Sequence, residues 1–187
     1  IYNGAVDNAT GIAGILELAR TLSASENQRS LLFLAVTAEE SGLLGSAYFA
    51  EYPPIELSNI VAGYNFDGVL PVGKTKDVIV VGHGASELED ILQRELEKVG
   101  KYIVPDPMPE KGFFYRSDHI SFAKKGVPVL YADGGFDKLD GGKKAGRIFA
   151  EEYTAKHYHQ PSDEYDPNWD LGGFVEQLTI TANMVKY

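Results

Sequence analysis

Two adjacent glutamates, Glu39 and Glu40, are the residues of this sequence whose placement most directly indicates chemistry. They follow residues 31–36, and six consecutive apolar residues between polar ones are typical of a buried strand in a parallel sheet. Ligands of open α/β sheets bind at the carboxyl ends of such strands. One carboxylate of a pair can bind a metal ion while its neighbour takes up a proton. The pair therefore predicts a metal-dependent reaction centre, with two solvated loop residues as the alternative.

Three further residues are candidate ligands, because each lies in a loop at the end of a predicted strand or at the start of a predicted helix. Asp7 lies in the glycine-containing segment 3–11, where capping the next helix is the alternative role. Asp67 follows the apolar segment 60–66, and His159 lies in a polar loop. Carboxylates combined with imidazole suit a catalytic zinc site, or one that uses manganese or cobalt. A carboxylate can also bridge two ions.

The elements that must position these residues alternate between strands and helices. Apolar runs predict strands at residues 31–36, 60–66, 78–81, 102–104 and 127–132. Helical spacing predicts helices at about residues 11–22, 43–52, 87–99, 117–125, 146–154 and 171–185, and residues 136–145 read as a surface loop. We expect one domain over residues 1–187, a three-layer α/β/α sandwich with a largely parallel, mixed central sheet.

Composition excludes several classes of function. The chain has 187 residues, of which 44% are hydrophobic and 24% charged, and this fits a single domain with a sizeable core. The formal net charge of −10 and the lack of a basic run argue against a nucleic-acid partner. No apolar run approaches the length of a membrane span. The absence of cysteine excludes thiolate ligands and a cysteine nucleophile.

A set of motifs occurs in the order seen in the di-zinc aminopeptidases. The motifs are AVDNATG at 5–11, AEESGLLGS at 38–46, NFDG at 65–68, SDH at 117–119 with GVP at 126–128, and YH at 158–159. The sequence resembles this family of metallopeptidases, which includes bacterial leucyl aminopeptidases, glutamate carboxypeptidase and the animal glutaminyl cyclases. The resemblance covers nearly the whole chain. It implies a zinc-dependent exopeptidase that hydrolyses amino-terminal peptide bonds through a metal-activated water.

The resemblance also implies a role for each candidate residue. Asp7 matches the carboxylate that bridges the two zinc ions. Glu39 matches the general base that deprotonates the attacking water, while Glu40 and His159 match ligands of one zinc. Asp67 matches a ligand of the other zinc. The expected cofactor is therefore zinc, as two ions in the complete enzyme, with other divalent metals as alternatives.

Three more residues belong to this expectation. Tyr158 matches a tyrosine that, in several members of the family, hydrogen-bonds the developing oxyanion. Asp118 and His119 open a predicted helix, where they are expected to line the substrate pocket or to support the site, with a purely structural role as the alternative for His119.

One departure concerns the remaining zinc ligand of the family, a histidine in a His-x-Asp motif upstream of the bridging aspartate. The chain has no such motif, and its four histidines are at positions 83, 119, 157 and 159. We interpret this as truncation on the amino-terminal side. The expectation for the isolated chain is one tightly held zinc and little activity, because the second position keeps only two protein ligands.

The alternatives within the fold are a carboxypeptidase or dipeptidase and a glutaminyl cyclase. An alternative of another class is a non-catalytic, peptidase-like binding domain. The expected partner is a peptide substrate with a free amino terminus. Relatives with similar carboxy-terminal motifs are often exported, so the expected location is secreted or periplasmic.

Overall fold

Four strands form one mixed sheet at the centre of the structure, a computed structural model that describes all 187 residues. The strands are β1 (Gly63–Asn65), β2 (Asp77–Val80), β3 (Tyr102–Pro105) and β4 (Val129–Gly134), in the order β1-β4-β2-β3. β1 pairs with β4 and β2 with β3 in parallel, whereas β2 and β4 are antiparallel. The β-branched run Val78-Ile79-Val80 forms the interior strand β2, all of whose residues are buried.

Helices cover both faces of the sheet. They are α1 (Gly11–Ser23), α2 (Leu44–Glu51), α3 (Leu88–Glu97), α4 (His119–Ala123), α5 (Gly142–Lys156) and α6 (Gly172–Met184). α6 packs against α1, α3 and β4, while α4 packs against α2, β1 and β4. These contacts confirm the three-layer α/β/α architecture with a mixed sheet. None of the helices has the length and apolar character needed to cross a bilayer.

The core consists of two apolar clusters that fix α6 to the sheet and to α1. The larger one joins β2 and β4 to α3 and α6; its buried members are Val78, Val80, Leu92, Leu96, Leu130, Ala132 and Ile180. The second joins α1 and α6 to the end of β1; its members are Leu18, Leu22, Phe66, Val69, Phe174 and Leu178. Because Phe66 belongs to this second cluster, the turn that follows β1 has a fixed position.

The predicted strand at residues 31–36 is wrong. The segment forms no strand, and no backbone hydrogen bond joins it to another segment. Leu32 is 56% exposed and Phe33 39% exposed. An apolar run favours burial, but a strand also needs a partner for its N–H and C=O groups, and β1 at the sheet edge pairs only with β4.

Two other boundaries differ from the expectation. α5 begins at Gly142, whereas residues 136–145 read as a loop because of their glycines and lysines. Gly141 and Gly142 have φ values of +86° and +62°, so they form the turn into the helix and do not end it. The strand expected at 60–66 is reduced to Gly63–Asn65, the three residues that pair with β4.

We predict that Leu96→Ala lowers the free energy of unfolding by about 2–5 kcal/mol, because it leaves a cavity at a fully buried position between α3 and the sheet. The same change at Leu139, which is 62% exposed, should cost less than about 0.5 kcal/mol. Urea unfolding of both variants beside the parent chain measures the difference. Equal midpoints for the two variants would contradict the assignment of this core.

Candidate metal centre

Three side chains from distant parts of the chain converge on one point. His159 Nε2 lies 3.2 Å from Asp7 Oδ2 and 2.9 Å from Glu40 Oε1. One ligand atom from each of the three residues lies within 4.8 Å of the other two. Two acceptor-only carboxylates and an imidazole therefore face a common volume.

This arrangement fits a divalent metal. Ligand atoms about 2.0–2.1 Å from a tetrahedral zinc lie about 3.4 Å from one another, close to the two separations at His159. Carboxylates and imidazole are both zinc ligands, and three protein ligands with an open fourth position are the usual arrangement of catalytic zinc. Asp7, Glu40 and His159 can therefore hold one such ion.

Asp7 is positioned by an irregular turn, Ala5–Thr10, in which Asp7 and Asn8 have non-helical dihedrals. The side chain of Asn8 fixes this turn to the end of β1: its Nδ2 donates to Phe66 O at 2.9 Å and its Oδ1 accepts from Gly68 N at 3.1 Å. Gly11 is required here, since a Cβ would lie 2.4 Å from Asn8 Oδ1. The side chain of Asn8 thus ties the turn that carries Asp7 to the residues on either side of Asp67.

Asp67 lies two residues beyond the end of β1, where the parallel pairing with β4 brings both carboxyl ends to the same edge. Ser117 Oγ donates to Asp67 Oδ2 at 2.5 Å, and Asn65 Nδ2 donates to Ser117 Oγ at 2.7 Å. Burial raises the pKa of Asp67, while the bond from Ser117 opposes the rise. The carboxylate is therefore oriented from the side that faces α4.

Glu39 and Glu40 lie in a tight turn between the extended segment 31–36 and α2. Ala38 and Leu43 have positive φ values of +57° and +61°, which are uncommon for residues with a side chain. Glu39 O accepts from Gly42 N at 3.0 Å and from Leu43 N at 2.8 Å. Such strained dihedrals are typical of functional sites. The turn holds Glu40 at the ligand cluster and Glu39 partly buried beside it.

Crowded negative charge dominates the electrostatics of this cluster. Burial, together with the carboxylates of Asp67 and Glu40, raises the pKa of Asp7 to about 6. Burial and neighbouring carboxylates, Asp67 and Glu40 foremost, raise the pKa of Glu39 to about 7. Like charges held together in this way favour the binding of a cation, which relieves their repulsion.

Tyr158 and His159 stack on each other, with ring centroids 3.8 Å apart and an interplanar angle of 27°. His159 has a φ of +56°, and its backbone turns sharply after α5. Burial and the nearby carboxylate of Asp7 raise the pKa of Tyr158 to about 12. The phenol therefore keeps its proton at neutral pH and can donate a hydrogen bond.

Asp118 and His119 lie at the start of α4, beside the cluster and outside the group of three ligands. His119 is 1% exposed and packs between Phe114 and Tyr131, at centroid distances of 4.9 and 5.1 Å. Neither ring nitrogen of His119 has a hydrogen-bond partner, and burial lowers its pKa to about 4. Its packing favours the structural role. The pKa of Asp118 is raised by burial, and Asp118 contributes negative charge near Glu39.

Sequence reasoning missed the residues that hold the ligands in place: Asn8, Asn65, Ser117 and Asp163. Asn8, Asn65 and Ser117 lie inside the motifs at 5–11, 65–68 and 117–119, so their place in these motifs was the available signal. Asp163 had no such signal, because its partners lie 156 and 157 positions earlier in the chain.

Comparison with known proteins decides the family. The profile of Peptidase family M28 matches residues 1–182. The chain belongs to this family. Membership confirms the resemblance to the di-zinc aminopeptidases that the motifs of the sequence indicated.

Two M28 relatives and one solved structure illustrate the similarity. The chain is 27% identical over 175 residues to "Leucine aminopeptidase 2" of Arthroderma otae, a match that covers 87% of this chain and 34% of that protein. It is 37% identical over 67 residues to "Aminopeptidase YwaD" of Bacillus subtilis, a match that covers 35% of this chain and 15% of that protein. The aminopeptidase structure from Aneurinibacillus sp. strain AM-1 superposes with a TM-score of 0.66 at 22% identity.

That superposition covers 99% of this chain and 40% of the Aneurinibacillus chain. The chain therefore spans well under half of the length of these relatives, and the likeness to the solved structure shows the fold.

The buried imidazole gives this M28 chain a pH-dependent stability. Folded His119 stays neutral down to about pH 4, whereas an unfolded histidine takes up a proton below about 6.5. The contribution of His119 to the unfolding free energy should therefore fall as pH decreases from 6.5 through 4, whereas the raised pKa values of Asp7 and Glu39 act in the opposite direction. We predict that His119→Phe and His119→Gln each remove about 3 kcal/mol of this decrease, whatever their absolute stability. Chemical unfolding at pH 7 and pH 4 measures it, and profiles parallel to the parent would contradict the assignment.

Proposed function

We propose that this protein is a zinc-dependent exopeptidase, an aminopeptidase that hydrolyses the amino-terminal bond of a peptide with a free amino terminus. The observation that carries the proposal is the convergence of Asp7, Glu40 and His159 with Glu39 beside them. Membership of family M28 and relatives named as aminopeptidases support the same reaction.

One zinc would be held by Asp7, Glu40 and His159. Asp67 lies near Asp7, so these two carboxylates are the ligands that this chain offers to a second ion, with Asp7 as the bridge. When bound there, zinc would polarise the scissile carbonyl and lower the pKa of a bound water towards about 7. We therefore propose two zinc ions, one at each of these positions.

Glu39 is proposed as the general base. Its partly buried carboxyl has a pKa raised to about 7, close to the value at which a base is most effective at neutral pH. It would take the proton of the attacking water and deliver it to the leaving amine. Metal ions bound nearby would lower this pKa again, because they remove the repulsion that raises it.

Tyr158 is proposed to stabilise the oxyanion. It keeps its proton at neutral pH, and its stacking on His159 holds it beside the ligand cluster. A hydrogen bond donated from a fixed phenol strengthens as negative charge develops on the carbonyl oxygen.

The other functions considered from the sequence are less favoured. A non-catalytic binding domain has no need of a general base beside a set of metal ligands. The relatives similar in sequence are named aminopeptidases and zinc metalloproteases. The glutaminyl cyclase of Porphyromonas gingivalis also superposes, with a TM-score of 0.59, but at 18% identity this likeness shows the fold alone. An assay with a glutaminyl peptide, which a cyclase would convert without hydrolysis, separates the last alternative. The secreted or periplasmic location stays a prediction.

Glu39→Gln should retain zinc binding and lose turnover by about 100- to 10,000-fold, because an amide cannot accept the proton of water. Zinc affinity is measured by calorimetric titration, and turnover with an aminoacyl anilide. Glu56→Gln, which makes the same change at an exposed position, is the matched control and should keep parental activity. Near-normal activity of Glu39→Gln would show that another residue is the base.

Tyr158→Phe should keep the stacked ring on His159 and remove only the hydroxyl. We predict a fall in kcat of about 100- to 1,000-fold with little change in KM and in zinc affinity, since the bond acts in the transition state. Tyr165→Phe, at a tyrosine that is 66% exposed, serves as the control. A Tyr158→Phe variant that loses zinc affinity and keeps kcat would assign the tyrosine to ligand positioning instead.

A further inference from the structure

A buried aspartate outside the ligand set holds two ligand-bearing segments together. Asp163 is 3% exposed, and its carboxylate accepts backbone hydrogen bonds from Val6 and Asp7. The distances are 3.0 Å from Val6 N to Oδ1, 3.2 Å from Val6 N to Oδ2 and 3.0 Å from Asp7 N to Oδ2. The carbonyl oxygen of Asp163 accepts from Ala5 N at 3.1 Å. Three consecutive backbone N–H groups, those of residues 5–7, thus donate hydrogen bonds to Asp163.

The same residue belongs to the turn that carries His159. Asp163 N donates to Gln160 O at 3.1 Å, which closes the turn directly after the histidine. Tyr153 of α5 donates its hydroxyl to Asp163 Oδ2 at 3.3 Å. The backbone of Asp7 and the backbone of His159 are therefore tied through Asp163, while their side chains meet 3.2 Å apart.

An aspartate at position 163 differs from an asparagine both in its hydrogen-bonding groups and in its charge. A carboxylate offers only acceptors, so it can receive two adjacent N–H groups, whereas an asparagine would turn its own N–H₂ towards one of them. Its negative charge adds to the repulsion already present around Asp7, which is unfavourable in the metal-free protein. A bound cation reverses the sign of that contribution, so the arrangement suits a protein that holds a metal.

We propose that Asp163 is a positioning residue for the metal centre: its carboxylate fixes the backbone of residues 5–7 to the turn of His159 and so sets the separation of two ligands. The inference rests on the proposed function, since it assumes that Asp7 and His159 bind a metal. Groups that orient metal ligands typically change metal affinity about 10- to 100-fold when they are removed.

The test uses cobalt as a probe, because its visible spectrum reports the geometry of its ligands. Asp163→Asn is titrated with Co²⁺ and, by calorimetry, with Zn²⁺, beside the parent chain. We expect the variant to bind both metals about 10- to 100-fold more weakly and to show an altered cobalt spectrum. Neither readout requires turnover.

A matched control separates positioning from stability. Asp77 is 4% exposed, and its carboxylate accepts from Asp137 N at 2.8 Å and from Phe136 N at 3.3 Å, in a turn outside the ligand cluster. Asp77→Asn therefore breaks the same kind of buried bond. It should lower the unfolding midpoint as Asp163→Asn does and leave the affinity and the spectrum of the cobalt complex unchanged.

The outcomes are distinguishable. A parent chain that binds neither metal would refute the proposed metal centre itself. A parent that binds metal, with Asp163→Asn matching it in affinity and spectrum, or with Asp77→Asn equally weakened, would refute the positioning role. Should Asp163→Asn fail to fold, Tyr153→Phe removes one hydrogen bond to Oδ2 and keeps the backbone bonds. It should weaken cobalt binding about 2- to 10-fold, and unchanged binding would refute the role.

Discussion

Repulsion between carboxylates is the constraint on which this structure depends. Besides burial, the charges of Asp67 and Glu40 raise the pKa values of Asp7 and Glu39, and the charges of Asp118 and Glu40 raise that of Asp67. Folding must therefore supply bonds that keep these acids together without a cation. The bonds come from neutral donors that do not cancel the charge: Ser117 donates to the carboxylate of Asp67, and Asn8 donates to the carbonyl oxygen of Phe66, the residue before Asp67.

The hydrophobic core matters for the site mainly through the points where it holds the loops. Phe66 is buried in the cluster between α1 and α6, and the next residue is the candidate ligand Asp67. Val6 is 1% exposed and directly precedes Asp7. Asp7 and Asp67 thus each follow a buried apolar residue, so burial of one side chain fixes the direction of the next. Side-chain bonds then make the fine adjustment.

Sequence reasoning reached the ligand set because Asp, Glu and His in loops beside predicted elements form a recognisable pattern, although their roles stay predictions. It also placed β2, β3 and β4, where short apolar runs occur in the sequence. It failed at residues 31–36, since an apolar run does not reveal whether a pairing partner exists. It missed Asp163, whose bonds span more than 150 positions and leave no local trace. Periodicity describes local elements, and long-range polar bonds are outside its reach.

Asp133 shows how the fold decides which acid carries charge. It lies in β4 near its carboxyl end, and burial together with the charge of Asp67 raises its pKa to about 8. At neutral pH it is therefore mostly protonated and adds little negative charge to the site. Glu40, by contrast, is 60% exposed. The buried Asp133 is thus largely neutral, whereas Glu40 lies at the surface, where a cation can reach it. Protons would compete with a metal bound at Asp7 as pH falls towards the raised pKa of this carboxyl group, so we expect metal binding here to weaken with acidity.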